Sequence, residues 1–324
     1  MATIKDVAKK ANVSVATVSR VINNTGYVNT ETRNLVLEAI QSLDYIPNEL
    51  ARSLFKKQSN IIGVVIPHLT SLFYGELIEA IEAALMPYEY KMMIFNSRND
   101  IEREQKFLSV FNQYNITGII LVAHLQSLPS YLDLDIPLIA IDHHVADTIP
   151  SVSSDNAMGG RLAAEHFVAA GAKKVIHFRG PSFLLTVQQR DEGFLSVLDS
   201  HGIQSVHFDL DFNTPNPQEI KDFILQHPDA QGIFCDGDLI AMHVLKVLNE
   251  LNIQSPETME VIGYDNLSLG ALMTPSLSSI NQPIDKMAEA GVKILLDIIK
   301  GEPQTSEHHS FPVSLVKRGS TKNI

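Results

Sequence analysis

From Asn60 onward the chain alternates short apolar, β-rich runs with longer amphipathic stretches, and this alternation restricts the fold more than any other feature. The runs lie at 61–66, 91–95, 118–122, 137–141, 174–178, 232–235 and 260–263. Between them, helical periodicity is read near 75–85, 101–114, 157–170, 187–201, 217–226, 239–251 and 284–299. Strands that alternate with helices of this length are the signature of βαβ units on parallel sheets, so two α/β lobes are expected.

A length of 324 residues allows two or three domains, and 45% apolar with 19% charged residues suits a compact globular chain. No fixed-period repeat or low-complexity tract interrupts it. The longest apolar runs are far short of the ~20 residues that span a bilayer, and the first residues lack the basic stretch and apolar run of a secretory signal. A cytoplasmic protein without membrane contact is expected. The single cysteine, Cys235 in "GIFCDGD", cannot form an internal disulfide and reads as an inert core residue at the end of a buried strand.

A net charge of −12 argues against nucleic acid until its distribution is considered. Residues 1–58 carry eight Lys/Arg against five Asp/Glu, while the remainder carries 17 against 32. The basic end is also the helix-rich end. Thr3 and Asp6 have capping-box spacing ahead of Val7, Ala8 and Ala11. Asn12-Val13-Ser14 breaks that helix, and Ser14 can cap a second over 15–23 with Val18, Val21 and Ile22 inward. Thr30 opens a third, in which Val36, Ala39, Ile40 and Leu43 recur at helical spacing.

Two short helices joined by a tight turn match a helix-turn-helix, whose second helix must present base-reading side chains to the major groove. "NVSVATVSRVIN" meets that demand. Val15 and Ala16 at its start can meet thymine methyls, Arg20 can pair with guanine or phosphate, and Thr17 and Ser19 offer hydroxyls to phosphates. Three core-forming helices of no special purpose would carry a similar apolar pattern.

The segments "TIKDVAKKANVSVATVSRVIN" and "TRNLVLEAIQSLDYIPNELARSL" resemble the headpiece and hinge of the lactose/galactose repressor family. The resemblance continues through "RDEGF", "VIGYDN", "LSSINQP" and "LVKRGST", and so covers essentially the whole chain. It implies a helix-turn-helix headpiece over 1–46, a hinge helix and linker over 47–59, and two periplasmic-binding-protein-like lobes. The first lobe is expected over 60–158 and 281–311, the second over 159–280 and 312–324. The family further implies a homodimer on a near-palindromic operator, with a leucine of each hinge helix wedged into the minor groove. Leu54 is the matching position, with Asn48 and Arg52 beside it; Thr3, Ser14 and Asn23 complete the expected DNA-facing set. The absence of terminal leucine heptads after "VKRGST" favours a dimer over a tetramer.

In such lobes a sugar lies in the cleft beyond the strand ends, held by planar hydrogen-bonding groups and by aromatic faces. By resemblance, Asp265 and Arg190 hold ligand hydroxyls, and Phe73 and Phe212 are aromatic wall positions next to Tyr74. Asp142, Asp238 and Gln282 are secondary candidates. The chain departs from the family at Ser71-Leu72-Phe73-Tyr74, where Asn-Pro-Phe-Phe is frequent, and at Asp142-His143, where Asp-Arg is usual. Arg98 and Arg179 near strand ends leave a phosphosugar open beside a free sugar.

No Walker A or Gly-x-Gly-x-x-Gly follows a strand, and the pairs His143-His144 and His308-His309 lack metal-site spacing, so neither cofactor nor metal is expected. The reading is a ligand-responsive repressor of a carbohydrate operon and not an enzyme. The competing classes are an enzyme on the same lobes, which would turn over a sugar, and a free-standing binding protein, which would need a signal peptide in place of the headpiece. Within the family, a regulator that uses a phosphorylated protein as co-repressor is the alternative.

Overall fold

The computed structural model describes residues 2–45, 59–122, 131–302 and 307–323. Contacts divide the chain into two compact units, Met1–Ser59 and Asn60–Ile324. The expected hinge positions Asn48, Arg52 and Leu54 lie outside the described residues.

The first unit holds α1 (Ile4–Lys10), α2 (Val15–Asn23) and α3 (Thr30–Ser42). Helices this short are marginal alone, so caps and a shared core must hold them. At α1 the Thr3 amide donates to Asp6 Oδ2 at 2.8 Å while the Asp6 amide donates to Thr3 Oγ1, which completes a capping box. Ser14 accepts from the Thr17 amide at 3.1 Å, and Asn29 accepts from Thr32 at 2.7 Å. Asn12 turns the chain between α1 and α2 with a left-handed φ of 52°. Val7, Val18, Val21, Val36 and Ala39 are buried together, with Ile22, Ile40 and Leu43 packed on them.

The second unit contains two six-stranded sheets among the described residues. The first is built from β1 (Ile61–Ile66), β2 (Lys91–Asn96), β3 (Gly118–Leu121), β4 (Leu138–Ile141), β5 (Ser151–Ser154) and β11 (His308–Phe311). Its order is β11-β5-β4-β3-β1-β2, and every pairing is parallel. The second is built from β6 (Lys174–Arg179), β7 (Gln204–Asp209), β8 (Gly232–Cys235), β9 (Glu260–Asp265), β10 (Ser278–Asn281) and β12 (Ser314–Val316), in the order β12-β10-β9-β8-β6-β7. Only the β10–β12 pairing is antiparallel there. The chain passes between sheets three times: after β5, after β10 and between β11 and β12.

The helices are α4 (Leu72–Leu85), α5 (Ile101–Gln113), α6 (Asn156–Ala169), α7 (Leu185–Ser200), α8 (Pro217–Gln226), α9 (Asp238–Glu250) and α10 (Ile284–Ile299). Leu77, Ile81 and Leu85 of α4 and Met287, Val292 and Leu295 of α10 share one core with β1, β3 and β4. Ile240, Val244 and Leu248 of α9 close the corresponding core on the second sheet, where Cys235 is fully buried.

Five strands go unread in the sequence: β5, β7, β10, β11 and β12. β5 and β10 are serine-rich, and their buried hydroxyls find partners far along the chain. Ser154 Oγ donates to Gln282 Oε1 at 2.7 Å, and Ser278 Oγ pairs with Thr321 Oγ1 at 2.7 Å. β7, β11 and β12 are edge strands, which need no continuous apolar run. Helix α4 also starts earlier than periodicity indicates, because Ser71 caps it through the Tyr74 amide.

Helices α6 and α7 meet backbone to backbone. A β-carbon on Gly160 of α6 would overlap the carbonyl oxygen of Arg190 on α7, and one on Gly193 of α7 would overlap the carbonyl oxygen of Ala157. Of the pair Gly159-Gly160, too slight a motif to cradle phosphate, Gly160 thus serves the contact between these helices, while Gly159 lies against the Tyr264 side chain. Gly193→Ala is expected to destabilise by about 2–3 kcal/mol, against the helix-propensity gain that alanine normally brings. Gly75→Ala in α4, where a β-carbon meets nothing within 4 Å, is expected to stabilise by about 0.5–1 kcal/mol. Thermal unfolding of the two variants checks both signs.

Candidate functional site

On α2 the burial of Val18 and Val21 turns Val15, Ala16 and Arg20 outward, and Val15 is 41% exposed despite being apolar. An exposed β-branched residue beside an exposed arginine suits a groove that presents thymine methyls and guanine edges. Other polar residues of this helix bond locally. Thr17 Oγ1 and Ser14 Oγ share a hydrogen bond of 2.9 Å, and Asn23 Nδ2 donates to Ser19 O at 2.9 Å and Ser19 Oγ at 3.1 Å. They brace the helix in this state. Tyr27, overlooked in the sequence, is 90% exposed in the turn after α2, next to Gly26, whose α-carbon region abuts the Arg20 side chain. The signal was an aromatic residue in an otherwise polar turn, "NNTGYVN".

In the second unit the carboxyl ends of strands from both sheets face a cavity of about 280 Å³. Pro67, Tyr74 and Asp142 reach it from the first sheet's side, and Arg190, Asp236 and Asp265 from the second's. Phe73, Phe212 and Gln282 also line it. Phe212 lies against Gly180 and Gly237, where a β-carbon on Gly180 would overlap its ring. Phe73 packs edge-on to Tyr74 with ring centroids 5.4 Å apart.

Arg190 is 5% exposed and is held on three sides. Its Nε donates to Asn156 Oδ1 at 2.8 Å, its Nη1 donates to the Asp236 carbonyl, and its guanidinium carbon stands 3.6 Å over the Tyr264 ring. Burial opposes its charge, but Tyr264, Asp236, Asp265 and Asp142 outweigh that and hold it above the ordinary arginine value. Asp142 and Asp265 both sit at positive φ, 78° and 109°, a conformation that costs energy in a non-glycine residue and collects at functional sites. Gln282 accepts from Ser154 through Oε1 and donates to Asp265 Oδ1 at 2.7 Å, so it orients that carboxylate. Asp142 Oδ1 is buried with no hydrogen-bond partner among the described residues.

Burial pushes Asp142 up to about 7, with Asp265 adding to the rise and Arg190 opposing it. Burial likewise pushes Asp265 up to about 7 against the pull of Arg190 and the Gln282 hydrogen bond. Two carboxyls that each resist ionisation beside one buried cation make a site that welcomes hydrogen-bond donors.

Asp238 corrects an expectation. It does not line the cavity, because Oδ2 accepts from the Leu267 amide at 2.7 Å and Oδ1 from Ser279 Oγ at 2.6 Å, tying α9 to the second sheet. Asp236, two residues earlier, lines the cavity instead; its carboxylate accepts from the Gly180 amide at 3.0 Å and bonds His177 Nε2 at 3.0 Å. Arg179 is absorbed by Asp209 and Asp191 at 2.8 and 3.0 Å, and neither it nor Arg98 lines the cavity. Among the described residues no group of three or more His, Cys, Asp or Glu is placed to hold a metal.

A carboxyl whose folded value lies near 7 and whose unfolded value lies near 4 binds its proton more tightly when folded. It contributes stability below about pH 4 that is lost progressively as the pH rises through about 7. The melting temperature of the wild type should therefore fall relative to that of Asp142→Asn between pH 5 and pH 8. Melting curves that run parallel across that range would mean that Asp142 ionises like an ordinary carboxyl.

The family model for bacterial regulatory proteins of the lacI family matches residues 3–48, and that for a periplasmic binding protein-like domain matches residues 164–321. A ribose operon repressor of Halalkalibacterium halodurans is 36% identical over 99% of this chain and 98% of its own. A lac repressor dimer, solved bound to operator and the anti-inducer ONPF, is 26% identical over 99% of each chain with a TM-score of 0.89. A periplasmic binding protein/LacI transcriptional regulator from Alkaliphilus metalliredigens, solved with D-xylulofuranose, is 28% identical over 82% of this chain and 100% of its own, with a TM-score of 0.75. Among the described residues no helix is long and apolar enough to cross a membrane. The chain belongs to the lacI family of bacterial regulatory proteins and is a ligand-responsive, DNA-binding transcription repressor.

Proposed function

We propose that this repressor acts as a cytoplasmic homodimer on a near-palindromic operator and senses a free, unphosphorylated sugar that it binds without turning over. The observation that carries the ligand class is the charge of the cavity. Asp142, Asp211, Asp236 and Asp265 line it against the single guanidinium of Arg190, and Arg179 is already spent on Asp191 and Asp209. A phosphate would meet four aspartates, two of which already resist ionisation, and one guanidinium, whereas neutral sugar hydroxyls can donate to the aspartates and accept from Arg190. Phe73 and Phe212 supply apolar faces for the ring. The bound sugar of the Alkaliphilus protein supports the same class.

On the DNA side the reading helix is α2, with Val15, Ala16 and Arg20 at base edges and Tyr27 beside them. Thr3, Ser14, Thr17, Ser19 and Asn23 serve the backbone once operator replaces their local partners. Arg20→Ala is expected to cost about 1–3 kcal/mol at an operator duplex at matched salt, measured by fluorescence anisotropy. Wild-type affinity in that variant would mean that another surface reads the bases.

On the ligand side a sugar shifts the lobes only by as much as it prefers one arrangement. A near-complete switch needs about 5.5 kcal/mol of preference, so loss of one charge-assisted contact cripples it. Asp265→Ala should remain folded and keep operator affinity close to wild type while abolishing the response to effector. An unchanged response would take Asp265 off the site.

A further inference from the structure

We infer that Glu76 is a latch that holds the two lobes of the second unit together at the rim of the cavity. Its Oε1 accepts the backbone N–H of Ser268 at 2.9 Å, across 192 positions of sequence and away from the three segments where the chain crosses between sheets. Both ends of this bond are anchored. Glu76 lies on α4, one turn beyond Phe73 and two residues beyond Tyr74, which line the cavity, and the same helix buries Leu77 and Ile81 in the first lobe's core.

Ser268 opens the 3-10 turn Ser268–Leu272, directly after the cavity-lining Leu267 and three residues after Asp265. The loop between is pinned to the second lobe at each residue. The Leu267 amide donates to Asp238, the Asn266 amide donates to Ser279 Oγ at 2.9 Å, and Arg318 Nη2 donates to Asn266 Oδ1 at 2.7 Å. Asp238, turned away from the cavity, thus stiffens the loop that Glu76 grips.

Separation of the lobes must break this bond, because neither the helix nor the loop can follow the other without leaving its own core. Glu76 therefore acts through lobe geometry as a positioning residue. The charge it brings also faces Asp265 and disfavours that carboxylate's ionised form. Closure gathers Asp142 and Asp265 around Arg190, with Glu76 acting on Asp265 from the rim, and hydroxyl donors relieve the crowding. This last step rests on the cleft being the effector site, whereas the latch itself does not require a ligand to be tested.

The test is a distance measurement on the full-length, unliganded protein. Glu82→Cys on α4 and Glu219→Cys on α8 are both exposed and carry spin labels, while the native Cys235 is buried, with its thiol held well above the usual range by burial and by Asp236 and Asp238. Doubly labelled chains are diluted into unlabelled ones so that pulsed dipolar spectroscopy reads distances within one chain.

Glu76→Ala should raise the open-to-closed ratio about 3–10-fold, and Glu76→Gln, which keeps an acceptor oxygen, should restore the wild-type distribution. Ser268→Pro removes the donor at a first-turn position, after a Leu267 whose ψ of 147° suits a following proline, and should match Glu76→Ala. The double variant should be no more open than either single one. Distributions that superpose on wild type, failure of the glutamine to rescue, or additive opening in the double variant would each overturn the latch.

Discussion

The second unit is organised around one buried cation. Arg190 gives up water for an amide oxygen, a backbone carbonyl and the face of a tyrosine ring, and each partner comes from a different element: Asn156 from the start of α6, Asp236 from the end of β8 and Tyr264 from β9. A buried charge with satisfied donors costs several kcal/mol to misplace, so these elements are locked to each other through it. The close approach of α6 and α7 at Gly160 and Gly193 is what brings Asn156 within reach. A second glycine contact, Gly159 under the Tyr264 hydroxyl, lets the ring lie beneath the guanidinium.

The acidic surplus of the cavity depends on that placement. Asp142 enters from the opposite lobe at a strained backbone position, with one oxygen unpaired, and Asp265 enters at another, steadied by Gln282 from the crossing segment. Strained backbone positions of this kind cluster at functional sites. The crossing segments carry Ser154 and Gln282, so the glutamine whose amide nitrogen aims Asp265 also bonds through its oxygen across the joint between lobes. On the proposed reading, effector binding and lobe geometry share these residues.

Much of the architecture was legible because apolar periodicity reports burial directly. Strands 61–66 and 232–235 and helices 217–226 and 284–299 coincide with the structure residue for residue, since each turns a continuous apolar run or a regular apolar stripe to the core. The edge strands β7, β11 and β12 were not, for want of a continuous apolar run, nor were the serine-rich β5 and β10, because a buried hydroxyl is stabilised by a partner that spacing cannot reveal. The caps Thr3 and Ser14 were readable because capping is local. In "CDGD" the sequence offers two aspartates, and only the reversal from β8 into α9 decides that Asp236 meets the cavity while Asp238 turns to Leu267 and Ser279. The role of Glu76 depends on a partner 192 residues away and leaves no local trace.

The central claim is that a neutral polyhydroxyl effector, recognised by one guanidinium among four aspartates, governs operator affinity. The most direct measurement is the anisotropy of a labelled operator duplex titrated with this protein at fixed salt and pH 7, in the presence of a panel of free sugars and their phosphate esters. At least one free sugar is predicted to displace the operator midpoint by about tenfold or more, while its phosphate ester does not. A midpoint that moves with a phosphate ester and with none of the free sugars would contradict the claim.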